Sequence, residues 1–355
     1  MSGKTKIQWC DKTWNPIRGC SRVSEGCRNC YAEKVAARFS GPGQPYEGLA
    51  TRGPARWTGK VQLVEKHLAD PLRWRDPSRI FVNSMSDLFH EALPDEAIDR
   101  VFAVMALAPR HTFQVLTKRP ERMREYIVAL DPERLAQAAE RDWGDEGGVY
   151  VSNWINGWSR PRGLPEDGNP LDGSRRRWPL PNVWLGVSVE DQATADARIP
   201  LLLRTPAAVR FVSYEPALGP VTFMPWWMKA PPGPPDPPTN RARHLDWVIV
   251  GGESGPGARP FDVAWARSVI AQCKAAGVPV FVKQLGADPR ETAREDQGSH
   301  LDDWPDLDVD NEPQRAGPSP GGGQSWAIPL RDRKGGDMDE WPADLRVREF
   351  PPVKP

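Results

Sequence analysis

Cysteine, histidine and tyrosine are scarce here, each occurring five times in 355 residues. So few cysteines exclude a disulfide scaffold and point to a reducing compartment. The opening Met1-Ser-Gly-Lys-Thr-Lys-Ile7 lacks the apolar run of a secretory signal, and no stretch nears the roughly 20 apolar residues that span a bilayer. The longest clearly apolar run lies near Val101 to Ala108. The expectation is a cytoplasmic chain with no membrane contact. Charge of one sign is missing as well: Lys plus Arg equals Asp plus Glu at 47 each, so no net field pulls the molecule toward polyanions. Arg175-Arg-Arg-Trp178 and Arg241-Ala-Arg-His244 are short basic runs of the kind that usually form a solvated face. No internal repeat is present.

Against that scarcity, three of the five cysteines fall within eleven residues, in Cys20-Ser-Arg-Val-Ser-Glu-Gly-Cys27-Arg-Asn-Cys30-Tyr-Ala. Thiolates select soft or borderline metals, chiefly zinc and iron–sulfur clusters. A zinc ribbon supplies two C-x2-C knuckles, whereas only Cys27 and Cys30 form one. Three thiolates leave one coordination position that protein sulfur need not fill, which points to an iron–sulfur cluster with an open iron. Cys10 is the alternative fourth ligand that would close the site as a structural centre. Cys273 shares a helical face with Val263, Ala266 and Ile270 and is expected in the core.

Along the chain, short apolar runs end in polar clusters and lead into helical stretches, the alternation of βα units around a parallel sheet. The expected strands are Ile7 to Trp9, Arg79 to Asn83, Thr112 to Thr117, Val183 to Ser188, Val209 to Ser213, Trp247 to Gly251 and Pro279 to Lys283. The fold class is therefore α/β, with about six to seven parallel strands. Pro94-Asp-Glu-Ala-Ile98 opens a helix whose buried stripe is Ile98, Val101, Phe102 and Met105. The sixteen tryptophans are expected in the core and at its rim. Residues 141–181 and 220–245, the second with the run Ala230-Pro-Pro-Gly-Pro-Pro-Asp-Pro-Pro238, stand outside the alternation as insertions. An acidic, Gly/Pro-rich extension follows from 287 to 355.

Each strand ends in a polar cluster: Asn83, Ser84, Ser86 and Asp87; Lys118 and Arg119; Glu190; Glu215; Gly251, Gly252 and Glu253; Lys283 and Gln284. The C-terminal edge of a parallel sheet is where α/β proteins bind ligands. Some of these groups also cap helices or pair with one another. His90 has no metal-binding spacing around it.

Taken together, Trp14-Asn-Pro-Ile-Arg-Gly-Cys20, Cys27-Arg-Asn-Cys30-Tyr-Ala, Phe81-Val-Asn-Ser-Met-Ser-Asp87-Leu-Phe-His90, Leu116-Thr-Lys-Arg-Pro120, Trp184-Leu-Gly-Val-Ser-Val-Glu190, Ser213-Tyr-Glu-Pro216 and Val248-Ile-Val-Gly-Gly-Glu-Ser-Gly255 resemble the phage Gp37/Gp68 family. Its members carry a three-cysteine motif similar to that of radical SAM enzymes. The likeness spans roughly residues 6 to 286. It implies a partial (β/α) TIM-like barrel over 1–286, with a [4Fe-4S] cluster on Cys20, Cys27 and Cys30. It also implies S-adenosylmethionine as cofactor, reductively cleaved to a 5′-deoxyadenosyl radical that abstracts a substrate hydrogen.

Within that reading Asn83, Ser84, Ser86, Asp87, Glu190, Gly251, Gly252 and Glu253 are candidates for the cofactor's amino, carboxylate and ribose groups. Lys118, Arg119, Glu215, Lys283 and Gln284 are candidates for the substrate, and the first two suit an anionic one. The Cys-Tyr-Ala ending resembles the spore photoproduct lyase branch, which makes a nucleic-acid component or nucleotide the preferred substrate. An electron donor is required. The first gap of six residues departs from the common C-x3-C-x2-C, and Gly251-Gly252-Glu253 follows a later strand than the usual Gly-Gly-Glu. The competing reading is a non-catalytic metal-stabilised module that binds a nucleotide or a partner protein.

Overall fold

A computed structural model describes residues 3–155, 178–228, 244–292, 300–305, 313–318 and 324–352. Its frame is one eight-stranded sheet in sequential order: β1 Gly3–Lys4, β2 Lys12–Trp14, β3 Arg79–Val82, β4 Thr112–Thr117, β5 Val183–Val189, β6 Val209–Tyr214, β7 Trp247–Gly251 and β8 Val280–Gln284. Only β1 runs antiparallel to its neighbour; β2 to β8 are parallel throughout. Every residue of β5, β6 and β7 is buried, as expected where helices cover one face and a core fills the other.

The sheet is curled. In a flat sheet β3 and β7 stand four strand spacings apart, roughly 19 Å. Yet Trp9 touches rings on both, with Phe81 at 4.6 Å and Trp247 at 6.3 Å between centroids. Trp184, Phe211 and Phe281 join them, so one face of the curl is concave and its floor is a cluster of aromatic rings. Gly186 on β5 makes room for this packing, because a Cβ there would lie 2.5 Å from the Phe211 ring. The curl stops short of a closed barrel: β1 and β8 are sheet ends and do not pair with each other. Beside β8, Val282 donates its amide to Val347 O and Glu349 donates to Val280 O, which sets Phe350 against the rings of Phe281 and Trp247.

α1 Tyr31–Arg38 packs on the hairpin formed by residues 50–57, whereas α2 Asp95–Leu107, α3 Pro120–Ala129, α4 Pro132–Ile155 (kinked at Gly144), α5 Gln192–Leu203 and α6 Val263–Ala276 cover or flank the convex face. Ile98, Val101, Phe102 and Met105 of α2 are buried as their spacing predicts, and so is Cys273 of α6. α6 ends at Gly277, whose φ of 71° is the left-handed conformation that glycine adopts freely.

Three boundaries differ from expectation. The first parallel strand is Lys12–Trp14, not Ile7 to Trp9; Trp9 and Cys10 turn instead into the aromatic floor. Residues 141–155, expected to open an insertion, are helical: the chain kinks at Gly144, and Val151, Trp154 and Ile155 of the segment after it are buried in the main core. The rest of that insertion up to 177, and the proline run at 230–238, lie outside the described residues. Past residue 286, Pro289–Thr292, Gln314–Pro318 and Gln324–Ala327 join Phe261–Asp262 in a four-stranded sheet, and Trp341 and Leu345 enter the main core. No helix among the described residues is long and apolar enough to cross a membrane.

Candidate functional site

The cysteine loop lies across the C-terminal rim of the sheet, held there by side chains from successive strand ends. Beyond β4, Arg119 donates from Nη2 to Ser21 O at 3.2 Å and to Ser21 Oγ at 2.7 Å, beside Cys20. Its Nη1 pairs with Asp87 at 3.1 Å and its Nε with Glu91 at 2.8 Å. Asp87 also accepts from Thr117 Oγ1 at 2.7 Å and from the Lys118 amide at 3.1 Å, locking the turns after β3 and β4 together.

Beyond β5, Glu190 is 1% exposed and accepts from Ser24 Oγ at 3.0 Å. Lys118 and Arg198 both pair with it, giving one buried carboxylate two cations. Gly26 rests directly on this carboxylate; a Cβ there would stand 2.4 Å from Glu190 Oε1. Beyond β7, Glu253 accepts from Asn29 Nδ2 at 2.9 Å and from Arg259 Nη2 at 2.6 Å, while Arg259 Nη1 donates to Glu25 O at 3.0 Å. Burial favours the neutral form of Glu253, but these donors hold its carboxyl below the usual range.

His90 completes the clamp. Its Nδ1 accepts from the Ala92 amide at 3.1 Å, so the proton belongs on Nε2, which faces Ser21 Oγ at 2.9 Å. Burial, with Arg119 nearby, lowers the pKa of this ring and keeps it neutral.

The loop's thiols share one electrostatic neighbourhood. Burial pushes Cys20 up to about 12, with Cys30 and Cys27 among the charges acting on it. Burial also raises Cys30, opposed by amide hydrogen bonds from Glu33 and Ala32. Those amides belong to the first turn of α1, where the helix dipole favours negative sulfur. Cys10 is buried in the aromatic floor, where desolvation pushes it up to about 12 against a hydrogen bond with the Phe81 backbone, with Asp11, Lys283 and Arg79 as the charges acting on it. Cys20, Cys27 and Cys30 are donors of the kind that a soft metal takes. Among the described residues no group of three or more His, Cys, Asp or Glu stands in ligating geometry. Cys20 turns its Sγ to Ser21 O at 3.4 Å, so ligation requires the side chain to rotate away.

Tyr31 is 52% exposed, and desolvation raises its phenol. Its hydroxyl donates to Ser84 O, and Cys30 and Glu215 both act on it. Below it Lys283 pairs with Glu215 at 2.5 Å, and Gln284 donates to the same carboxylate at 3.2 Å. Tyr31, Glu215, Lys283 and the cysteines are therefore the polar groups that the concave mouth gathers.

The remaining expected residues serve the frame. Asn15 accepts from Ser84 Oγ at 3.1 Å, and Ser86 Oγ donates to Ile17 O at 3.0 Å. Asn83, with φ of 59°, accepts from the Ile17 amide at 3.4 Å. Gly251 and Gly252 let β7 approach the end of β8; a Cβ on Gly252 would lie 2.3 Å from Leu285 O. Asn29, Arg198 and Arg259 were invisible as site residues in the sequence, since only the fold brings them to the loop.

This architecture, a curled and mostly parallel α/β half-barrel with a cysteine loop clamped across its mouth, defines the structural class. The chain belongs to the family of proteins of unknown function DUF5131, whose model matches residues 4–307. No curated protein and no solved structure matches the chain.

Proposed function

We propose that the chain is an iron–sulfur protein that holds a [4Fe-4S] cluster through Cys20, Cys27 and Cys30 and uses it with S-adenosylmethionine for radical chemistry in the concave mouth. The observation that carries this reading is the clamp. Arg119, Glu190 and Glu253, from three separate strand ends, grip the loop at Ser21, Ser24 and Asn29, next to or between the three thiols. Such fixation suits a ligand loop that must present sulfur to a metal at one place. When bound, the cluster supplies an electron and one iron position free of protein sulfur.

The chain's own groups have separable tasks. Arg119 and His90 position the segment after Cys20. The first-turn amides of α1 favour charge on Cys30 sulfur. Tyr31, Glu215 and Lys283 line the space where an organic ligand sits, and the aromatic floor excludes water from beneath it. Lys118 and Arg119 spend their charge on Glu190 and Asp87, so they hold the loop rather than an anionic substrate.

Anaerobic purification with iron and sulfide assay tests the reading. The expected product is brown, with near 1:1 iron and sulfide and absorption near about 400 nm. Cys27→Ala abolishes the iron and Cys10→Ala retains it. A colourless, zinc-loaded protein, or equal metal loss from both variants, overturns it in favour of a closed structural centre. Release of 5′-deoxyadenosine on adding reductant and S-adenosylmethionine tests the catalytic half separately.

A further inference from the structure

The lobe that carries the cysteine loop is charged unlike the rest of the molecule. Residues 18–60 hold eight lysines and arginines against three acids, in a chain with no net charge. One of those acids, Glu33, is buried against Arg22, which leaves Glu25 and Glu47 at the surface. Arg28, Arg38, Arg52, Arg56 and Lys60 are exposed. Among the described residues only Arg28 of these reaches a carboxylate, Glu25 at 4.0 Å, at the limit of an ion pair.

The lobe is one packed unit. Ala32 and Ala36 of α1 pack with Tyr46, Leu49 and Ala50, and the Trp57 amide donates to Glu33 at 2.9 Å, so the hairpin formed by Ala50–Arg52 and Ala55–Trp57 sits against the helix. α1 turns Ala32, Glu33, Ala36 and Ala37 inward. At 100° per residue, Tyr31, Lys34 and Arg38 then fall on its outer face, with Phe39 flanking them. Tyr31 and Phe39 are both exposed, at 52% and 45%. Arg52 lies at the far end of the helix, where its Nη2 donates to Gln44 Oε1 at 3.0 Å. Lys34, half-exposed with its Nζ 3.5 Å from Pro256 O, and Arg38 therefore run along α1 between the half-exposed rings of Tyr31 and Phe39.

We propose that this face binds single-stranded nucleic acid, with phosphates against Lys34, Arg38 and Arg52 and unpaired bases stacked on Tyr31 and Phe39. Cations alone would suit any polyanion. Aromatic rings left in water between them favour a strand whose bases are free to stack. The iron–sulfur reading is not needed for this site, which involves no metal.

Fluorescence anisotropy of a labelled 20-nucleotide oligo(dT) tests it, with the same protein assayed for iron so that either idea can fail without the other. Expected is binding at 50 mM KCl that weakens with salt, with a log–log slope near −2, about 0.7 for each of three phosphates. Arg38→Gln with Arg52→Gln weakens it about tenfold and flattens the slope by about 1.4. Phe39→Ser weakens it about fivefold and leaves the slope unchanged, a signature of lost stacking. All these side chains are exposed, so the variants keep the wild-type thermal melt. The proposal is overturned by absence of binding at 50 mM KCl, by equal affinity for duplex of the same length, by variants that bind as wild type, or by displacement with polyglutamate, which would mark a site for an acidic protein.

Discussion

The guanidinium of Arg79 on β3 lies 4.0 Å from the ring centroid of Phe350, near the end of the chain. Phe350 also contacts Phe281 on β8, at 5.2 Å between centroids, so this one ring ties the two sides of an unclosed curl. Arg79 is oriented for the contact by Asp11, with Nη2 to Oδ1 at 3.2 Å. Phe350→Ala should lower stability by about 2 kcal/mol, from lost apolar burial and the cation–ring contact. Urea unfolding measures it; an unchanged midpoint would show that the tail does not brace the sheet.

A pH dependence follows from His111. The ring is buried, faces Pro71 O through Nε2 at 3.1 Å, and has its pKa lowered to about 4 by burial, with Arg110 assisting. Because the folded state takes up the proton later than the unfolded state, the stabilisation is complete above about pH 6.5 and is lost as pH falls toward 4. At pH 5 the loss is about 2 kcal/mol. His111→Gln should remove that part of the slope between pH 7 and 5 in denaturant titrations. An identical slope in the variant would assign the dependence elsewhere.

Arg119→Ala strands Asp87, which is nearly buried, without its cation. The expected cost is about 3 kcal/mol, as for breaking a buried pair. Hydrogen exchange at the amides of residues 20–24 should accelerate more than exchange in the sheet, since Ser21 loses two donors. Uniform acceleration across the molecule would deny the clamp its local role.

Gly26→Ala isolates the loop from the core. Its Cβ would collide with Glu190, whereas the glycine itself lies on the surface loop. Metal loading after anaerobic reconstitution is expected to fall several-fold while the melting temperature changes little. Full loading would show that Glu190 does not set the loop's height.

Gly186→Ala should destabilise by roughly 2 kcal/mol through overpacking against Phe211. Adding Phe211→Leu should restore part of it in a double-mutant cycle. Additive losses would mean that the two positions do not compete for the same space.

The parallel strands were legible because βα alternation writes itself as buried runs such as Val183–Val189 bounded by polar ends. Their curl was not, since nothing local in Trp9 says that it reaches both Phe81 and Trp247; the same fact hid the true first strand at Lys12–Trp14. At the site, Glu190, Glu253 and Arg119 stood out as charges at strand ends. Their partners Ser24, Asn29 and Ser21 are ordinary loop residues that matter only through contacts of long sequence separation. The helix beyond Gly144 was hidden by that glycine, whose φ of 72° breaks the helix there, and by Gly147 and Gly148, which interrupt the apolar periodicity on which a helix assignment rests.

Rings fill the lower half of the concave face from Phe81 round to Phe281. The result is a cup, not a tube. Under the proposed function, a guest held above this floor comes and goes on the rim side where the cysteine loop lies. In that reading a bound guest shades the adjacent thiols, and slower alkylation of Cys30 would report occupancy without any knowledge of the guest.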